Sequence, residues 1–211
     1  MFNLSPNILY DKLLTYYGPQ NWWPGEGFEI AIGAILTQNT SWKNVEIAIE
    51  NLREYGLLTP ERIVESSIEV LKELIKPSGF FNQKAEYLKE LSKFWIVNSN
   101  PTREELLSIK GIGEETADSI LLYLLQKMEF VSDNYTVRIS TRLGFGEEMS
   151  KSYWKSYYQK NLPKEITIYN ELHALFVVHG KNFCSKKNPS CSICFLLENC
   201  DFGKRRTKNS I

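Results

Sequence analysis

The sequence has no apolar run long enough to cross a membrane and no excess of charge of either sign. Its 25 basic side chains are balanced by 25 acidic ones. This balance neither supports nor excludes nucleic-acid binding, because a binding face needs only local positive charge. The N-terminal segment lacks a basic start followed by a long apolar stretch, so no secretory signal is expected. We therefore expect a cytoplasmic protein in a reducing compartment, with no membrane partner.

Cysteine is also scarce, and all four cysteines fall within residues 184–200. Disulfides are not expected in a reducing compartment. The order Cys184-x6-Cys191-x2-Cys194-x5-Cys200 confines four thiols to one short segment, which disfavours four unrelated core cysteines. Four thiolates can surround a tetrahedral zinc ion or a [4Fe–4S] cluster, and the spacing by itself leaves both possibilities open.

Strand signals are nearly absent as well, and apolar residues recur at helical spacing along most of the chain. Residues 135–142 contain several β-branched side chains, but we predict a helix there because no second strand candidate exists to pair with them. Residues 203–210, GKRRTKNS, are predicted to be a basic, frayed tail. The remaining predicted helices are 28–36, 43–54, 61–75, 84–96, 103–109, 114–127, 152–159 and 168–179.

The stretch LLSIKGIGEETADSILLYL places two glycines between two apolar helical patterns. Gly111 and Gly113 permit a tight turn with positive φ, where a Cβ atom would clash. Such a turn exposes backbone N–H groups at the start of the next helix, where the helix dipole also favours an anion. Residues 103–126 therefore have the pattern of a helix–hairpin–helix, a unit that grips a DNA phosphate without reading sequence. An ordinary turn between two helices fits this stretch equally well.

The hairpin and the cysteine loop together resemble the endonuclease III superfamily of helix–hairpin–helix DNA glycosylases. The segments that carry the resemblance are ILTQNTSW, IKPSGFFNQKAEYL, VSDNYTVRIS and VVHGKNFC. The resemblance implies an all-α, two-lobed fold with a C-terminal [4Fe–4S] cluster loop at 184–200. It also implies one lobe at 20–131 and a second lobe formed by 1–19 with 132–211. The expected cluster ligands are Cys184, Cys191, Cys194 and Cys200.

The resemblance further implies which side chains would act on DNA. Asp133 corresponds to the family's aspartate, which stabilises the positive charge that develops on the sugar and can activate water. A helix N-cap is the structural alternative for this residue. Gln38 corresponds to the wedge that fills the gap left by a flipped base. The expected DNA contacts are Gln38, Asn39, Lys84, Gly111, Gly113, Thr116, Lys186 and Lys187.

One position departs from the pattern of the bifunctional family members. Those members carry a lysine two residues after the second hairpin glycine, and this lysine attacks the sugar C1′ to form a Schiff base. Glu115 stands at that position, and a carboxylate cannot form an imine. We therefore predict a monofunctional glycosylase that uses water as nucleophile, with AP lyase activity absent or weak.

The tryptophans and Glu115 indicate the 3-methyladenine branch of the superfamily. An acidic group near an aromatic pocket favours a cationic base, and aromatic faces bind such cations by cation–π attraction. The segments NWWP, LTQNTSW and KGIGEETAD resemble that branch. The base-pocket residues that the resemblance implies are Trp22, Trp23, Trp42, Glu115 and Lys181; a phosphate contact is equally possible for Lys181.

Two rival functions stay open at this point. A uracil or thymine mismatch glycosylase of the same fold would need hydrogen-bonding groups that match a pyrimidine edge. A non-catalytic DNA-structure binder would gain nothing from Asp133 beside the phosphodiester chain. The expected partner is double-stranded DNA with a damaged base, bound by a monomer in a prokaryotic, nucleoid-associated setting. An AP endonuclease would then process the abasic product.

Overall fold

The computed structural model describes residues 4–147 and 149–208. Within these ranges every regular element is helical, which confirms the all-α prediction. The α-helices are α1 Pro6–Tyr17, α2 Phe28–Leu36, α3 Trp42–Glu54, α4 Pro60–Glu65, α5 Ile68–Ile75, α6 Phe81–Val97, α7 Arg103–Ser108, α8 Glu114–Ser119, α9 Asn134–Leu143, α10 Lys151–Asn161, α11 Ile166–Asn182 and α12 Asp201–Lys208. None of the helices in the described ranges has the length and hydropathy that a membrane span requires.

Several helices begin at a side-chain cap, and one cap divides a helix that the sequence predicted as continuous. The predicted helix 61–75 is two helices, because Ser67 accepts a hydrogen bond from the Val70 amide and starts α5. Just before it, the Ser66 hydroxyl donates to the Ile63 carbonyl at 2.8 Å. Thr59 caps α4 in the same way, with Pro60 at its first position.

The chain divides into two compact units, one of which comprises Trp23–Lys127. This unit contains α2 to α8, followed by a wide π-type turn over Ile120–Leu124. Helix α2 is apolar on almost every side, since all residues from Ile30 to Leu36 are buried. Its neighbours in the core come from α3, α5, α6 and the hairpin helices, so one continuous apolar cluster supports the hairpin.

The other unit comprises Met1–Trp22 together with Met128–Ile211. Within its described residues, α1 and α9 pack against the buried α11, and α10 and α12 pack against α9. Trp154 and Tyr158 of α10 are fully buried, and the Tyr158 hydroxyl bonds to Ser140 of α9 at 2.7 Å. This core places the N-terminal end of α9 against α11.

The C-terminal end differs from the predicted frayed tail. Residues Asp201–Lys208 form α12, whose Gly203 amide donates to the Cys200 sulfur at 3.3 Å. Gly203 also packs against Leu197, which leaves little room for a Cβ atom. The helix is therefore attached to the cysteine loop; the last predicted tail positions, 209 and 210, lie outside the described residues.

Candidate active site

Asp133 is the N-cap of α9 and is buried. Its Oδ1 atom accepts from the Thr136 amide at 2.8 Å and from the Thr136 hydroxyl at 3.1 Å. The Thr136 hydroxyl in turn accepts from the Asp133 amide at 3.4 Å, which completes a capping box. The structural alternative raised by the sequence is thus present: Asp133 caps a helix.

The second carboxylate oxygen of Asp133 faces a histidine. Oδ2 lies 3.8 Å from Nε2 of His173 on α11, and both side chains are more than nine-tenths buried. Burial raises the pKa of Asp133, but the interaction with His173 and the hydrogen bonds from Thr136 outweigh it and lower the pKa below its ordinary value. The buried carboxylate is therefore held in its ionised form.

Two further predicted pocket residues belong to the same unit as Asp133. The Trp22 ring stands edge-on to the His173 ring, with 6.0 Å between centroids. Lys181 is exposed near the C-terminal end of α11, beside Gly180. A Cβ atom at Gly180 would lie 2.1 Å from the Tyr135 ring, so the glycine permits close packing of α11 on α9.

Trp23 and Trp42 belong to the other unit, where they form an aromatic cluster. Their rings meet edge to face with centroids 5.1 Å apart, and the Tyr123 ring lies 5.6 Å from Trp23. The Trp42 indole donates to Glu46 at 2.9 Å, and Trp23 lies directly over Gly33 of α2. Both tryptophans are only partly buried, so each offers some aromatic surface.

The hairpin joins α7 and α8 through residues 109–113. Gly111 has φ +89° and packs on the Tyr87 ring, where a Cβ atom would lie 2.1 Å away. Gly113 differs from the prediction of positive φ: it is the N-cap of α8 with φ −91°, a conformation open to any residue. Only Gly111 therefore needs to be glycine on backbone grounds.

Three of the predicted DNA contacts are brought together at the hairpin. The Gln38 amide donates to the Gly111 carbonyl and to the Thr116 hydroxyl, both at 3.0 Å. Asn39 follows in the left-handed conformation with φ +54°, which asparagine tolerates. Glu115 is exposed in the first turn of α8, where the dipole favours a carboxylate.

Lys84, one of the predicted DNA contacts, lines a pocket together with Gln38 and Asn39. Its side chain is buried, and its ammonium donates to the carbonyls of Leu36 and Ser78 at 2.8 Å each. Burial lowers the pKa of Lys84 to about 8. In this arrangement the lysine ties the end of α2 to the turn before α6 and presents no charge to solvent.

Phe80 is a further candidate for the site, although the sequence analysis did not single it out. Phe80 is 60% exposed and has φ +47°, an unusual conformation for an aromatic residue. It lines one pocket together with Gln38, Asn39 and Tyr87. The neighbouring glycine in SGFF was the available signal for a sharp turn that displays an apolar side chain.

The four cysteines are free thiols that line one pocket between α9, the end of α11 and α12. Arg142 donates to the Cys184 sulfur at 3.2 Å and to the Ser185 and Lys186 carbonyls at 2.7 and 3.0 Å. In the described part of the chain, no three His, Cys, Asp or Glu side chains gather closely enough for a single metal ion. Lys186 and Lys187 are exposed on this loop.

The chemistry of these thiols fits a cationic group bound through sulfur. Burial raises the pKa of Cys194 to about 11, so the thiol stays protonated without a nearby positive charge. A metal bound through these sulfurs would supply that charge, since a coordinating thiol is deprotonated by its metal. The N–H donors already aimed at Cys184 and Cys200 are suited to thiolate sulfur.

A turn at Gly111 joins α7 and α8 in a chain whose described elements are all helical, and the buried Asp133 caps α9. The family model of the HhH-GPD superfamily base excision DNA repair proteins matches residues 32–164, well over half of the chain. The chain therefore belongs to this superfamily, that of the endonuclease III-type helix–hairpin–helix DNA glycosylases.

Individual relatives agree with this assignment. A Methanocaldococcus jannaschii protein named as a DNA repair glycosylase is 50% identical over 207 residues, which span 91% of this chain and 94% of that one. Endonuclease III trapped as a covalent intermediate on DNA has a TM-score of 0.83 at 25% identity, covering 94% and 95% of the two chains. The Helicobacter pylori 3-methyladenine glycosylase bound to 1,N6-ethenoadenine has a TM-score of 0.77 at 29% identity, covering 84% and 98%.

Proposed function

We propose that this chain is a monofunctional DNA glycosylase of base excision repair that removes alkylated purines such as 3-methyladenine. The observation that carries the proposal is the ionised, buried Asp133 at the start of α9. Burying an anion costs free energy unless it is paired. The reaction creates an oxocarbenium-like sugar, which is a cation that a buried carboxylate can stabilise. Asp133 would stabilise that sugar and orient or deprotonate the attacking water.

Monofunctionality rests on the identity of residue 115. Glu115 occupies the position where the bifunctional members carry their nucleophilic lysine, and it cannot form a Schiff base. The nearby Lys110 is engaged elsewhere, because its ammonium donates to Glu86 at 2.9 Å. Water would then be the nucleophile, and the product would be an abasic site for an AP endonuclease.

The preference for alkylated purines rests on charge and aromatic surface. A 3-methylated adenine is cationic and leaves easily, so the pocket needs stacking more than acid catalysis. Trp42 and Trp23 offer aromatic faces, and cation–π attraction contributes about 0.5–2 kcal/mol per contact. The resemblance adds Trp22, Glu115 and Lys181 to this pocket, and the likeness to the 3-methyladenine glycosylase supports the substrate class.

The hairpin amides would bind a DNA phosphate. Side chains near the hairpin would fill the gap that a flipped base leaves in the duplex. Gln38 is the proposed wedge, and Phe80 is a second candidate because it exposes an aromatic ring beside the same pocket. Filling the space left by a flipped base offsets part of the few kcal/mol that unstacking costs. Asn39 and Thr116 are the proposed DNA contacts beside the wedge. Lys186 and Lys187, which belong to the other unit, would supply positive charge for DNA phosphates.

The four-cysteine loop is proposed to hold a [4Fe–4S] cluster. The ligands would be Cys184, Cys191, Cys194 and Cys200, which share one pocket and have the 6-2-5 spacing of the resembling family. Such a cluster supplies an electron-transfer group and a rigid cross-link of its loop. In this chain its surroundings would present Lys186 and Lys187 to the DNA backbone.

The test is base release by the purified protein, acting as a monomer on duplex DNA. Methylated duplex and, separately, uracil- and thymine-mismatch duplexes are incubated with the wild type and with Asp133→Asn, and freed bases are identified by chromatography. We expect 3-methyladenine from the wild type, and a loss of about 10²-fold or more in the variant. Release of a pyrimidine alone would favour the mismatch glycosylase, and no release from any duplex would favour a non-catalytic DNA-structure binder.

A further inference from the structure

We infer that His173 is a positioning residue that holds the Asp133 carboxylate and keeps it ionised for base excision. This inference rests on the proposed role of Asp133 and extends it to His173, to which the comparisons assign no role. His173 reaches Asp133 from a different helix: Nε2 lies 3.8 Å from Oδ2, and both side chains are more than nine-tenths buried. Because the two side chains come from separate helices, this buried contact fixes the two groups relative to each other.

The two oxygens of Asp133 have separate anchors. Oδ1 is engaged by the Thr136 amide and hydroxyl at 2.8 and 3.1 Å, which secure it to the start of α9. Oδ2 faces His173 alone among the charged partners found in the described residues. The His173 ring is itself set by Trp22, which stands edge-on with centroids 6.0 Å apart. Thr136 thus fixes the attachment of the carboxylate, and His173 fixes its orientation.

The contact between His173 and Asp133 also offsets the cost of burying a charged carboxylate. Burial disfavours a charged carboxylate and would raise the pKa of Asp133. The interactions of His173 on α11 and of Thr136 on α9 reverse that effect and lower the pKa. Thr136 acts on Asp133 through hydrogen bonds, and the coulombic part of the lowering comes from His173. A neutral residue at 173 would therefore leave the aspartate ionised only at higher pH.

The experiment uses His173→Gln, which keeps a polar side chain but removes the imidazole. Phe176→Leu is the matched control, because Phe176 is equally buried in α11 and packs on Tyr158 instead of Asp133. The chain has only four aspartates, so ¹³C-carboxyl NMR of aspartate-labelled protein can follow Asp133, assigned with Asp133→Asn. The pH dependence of base release from methylated DNA is measured on the same variants.

We expect the Asp133 titration of His173→Gln to move to higher pH, and the acidic limb of its kcat profile to move in the same direction. At neutral pH kcat should fall by about ten-fold with little change in KM, a part of the 10²–10⁴-fold that a positioned base contributes. Phe176→Leu should leave both midpoints in place. An unchanged Asp133 midpoint in a folded His173→Gln protein would overturn the inference.

The design separates this inference from the proposed function. If the wild type released no base, the NMR titration would still test the ion pair in the inactive protein. If His173→Gln did not fold, the wild-type titration decides: Asp133 must titrate below the ordinary aspartate value of about 3.9, and a higher midpoint would overturn the inference. Normal base release with an unshifted profile in the variant would leave the glycosylase intact and remove His173 from it.

Discussion

At the residue scale, the carboxylate at position 115 is the basis for predicting base release by water instead of Schiff-base lyase chemistry. We predict that borohydride traps no covalent adduct between the wild-type protein and DNA that contains its substrate base, because Glu115 cannot form an imine. Denaturing gel electrophoresis after borohydride treatment provides the measurement, with an endonuclease III preparation as the positive control. A trapped adduct would contradict monofunctionality, and the Lys110→Gln and Lys181→Gln variants would then identify the amine responsible.

Trp42 provides a second prediction at this scale. Trp42→Ala should lower kcat/KM for 3-methyladenine by about 2- to 30-fold, the range that corresponds to a cation–π contact of about 0.5–2 kcal/mol. Trp42→Phe should keep most of the activity because it retains an aromatic face. The matched control is Trp95→Phe, since Trp95 lies in the core of the same unit. Equal losses in Trp42→Ala and the control would show that Trp42 acts only through packing.

At the scale of the element, the hairpin depends on one glycine rather than two. Gly111→Ala must adopt φ +89° and force the Tyr87 ring aside, so we expect unfolding to be easier by about 2–4 kcal/mol in urea melts. Gly113→Ala is the control, because its φ is ordinary and its Cβ atom meets nothing within 4 Å. It should change stability by less than about 1 kcal/mol. Similar melts for the two variants would contradict this account of the turn.

The buried lysine between two elements gives another prediction. Lys84→Met removes both hydrogen bonds to the Leu36 and Ser78 carbonyls, which stay buried without these donors. We expect a loss of about 1–3 kcal/mol in the free energy of unfolding. Lys76→Met is the control, since that lysine forms only an exposed pair with Glu73. If DNA affinity fell while stability held, Lys84 would be a DNA contact after all.

Sequence reasoning predicted the helices that have a clear apolar repeat. It failed where a side-chain cap or a tertiary contact determines where a helix begins or whether it forms. The apolar repeats of α2 and α3 predicted those helices to within a residue, because one face of each must enter the core. The break at Ser67 was missed, since a cap overrides periodicity. The α12 helix was missed because its composition is that of a solvated tail, while its attachment to the cysteine loop is tertiary. The link between His173 and Asp133 joins two helices and leaves no local pattern in the sequence.

At the scale of the whole molecule, the predicted site residues come from both units. Asp133, Trp22 and Lys181 belong to one unit, and Trp42 and Glu115 belong to the other. The chain passes between the units twice, after Trp22 and after Lys127. These predicted site residues extend in sequence from Trp22 to Lys181, and it is the resemblance to a known family that assigns them to one site.

The cysteine loop yields a prediction about composition. The purified protein should contain about four irons per chain and show the broad visible absorption of an iron–sulfur cluster. Cys194→Ser should lose most of the iron, because three thiolates do not complete the ligand set. Cysteine is absent from the rest of the chain, so no other thiol can replace it. A colourless protein with one zinc ion, after anaerobic purification, would contradict the cluster.

Loss of iron should lower the local stability of the two units to different extents. The loop is joined through sulfur to α12 by the Gly203 amide on Cys200, and to α9 by Arg142 on Cys184. Metal binding stabilises only the state that presents its ligands, so removing iron withdraws that stabilisation from the residues it orders. The unit Trp23–Lys127 has an apolar core of its own and no cysteine. Hydrogen exchange of iron-free protein should therefore accelerate in 184–208 and leave the core amides of α2 and α6 protected. Uniform acceleration in both units would mean that the cluster stabilises the whole chain, and unchanged exchange would mean that the loop is ordered without it.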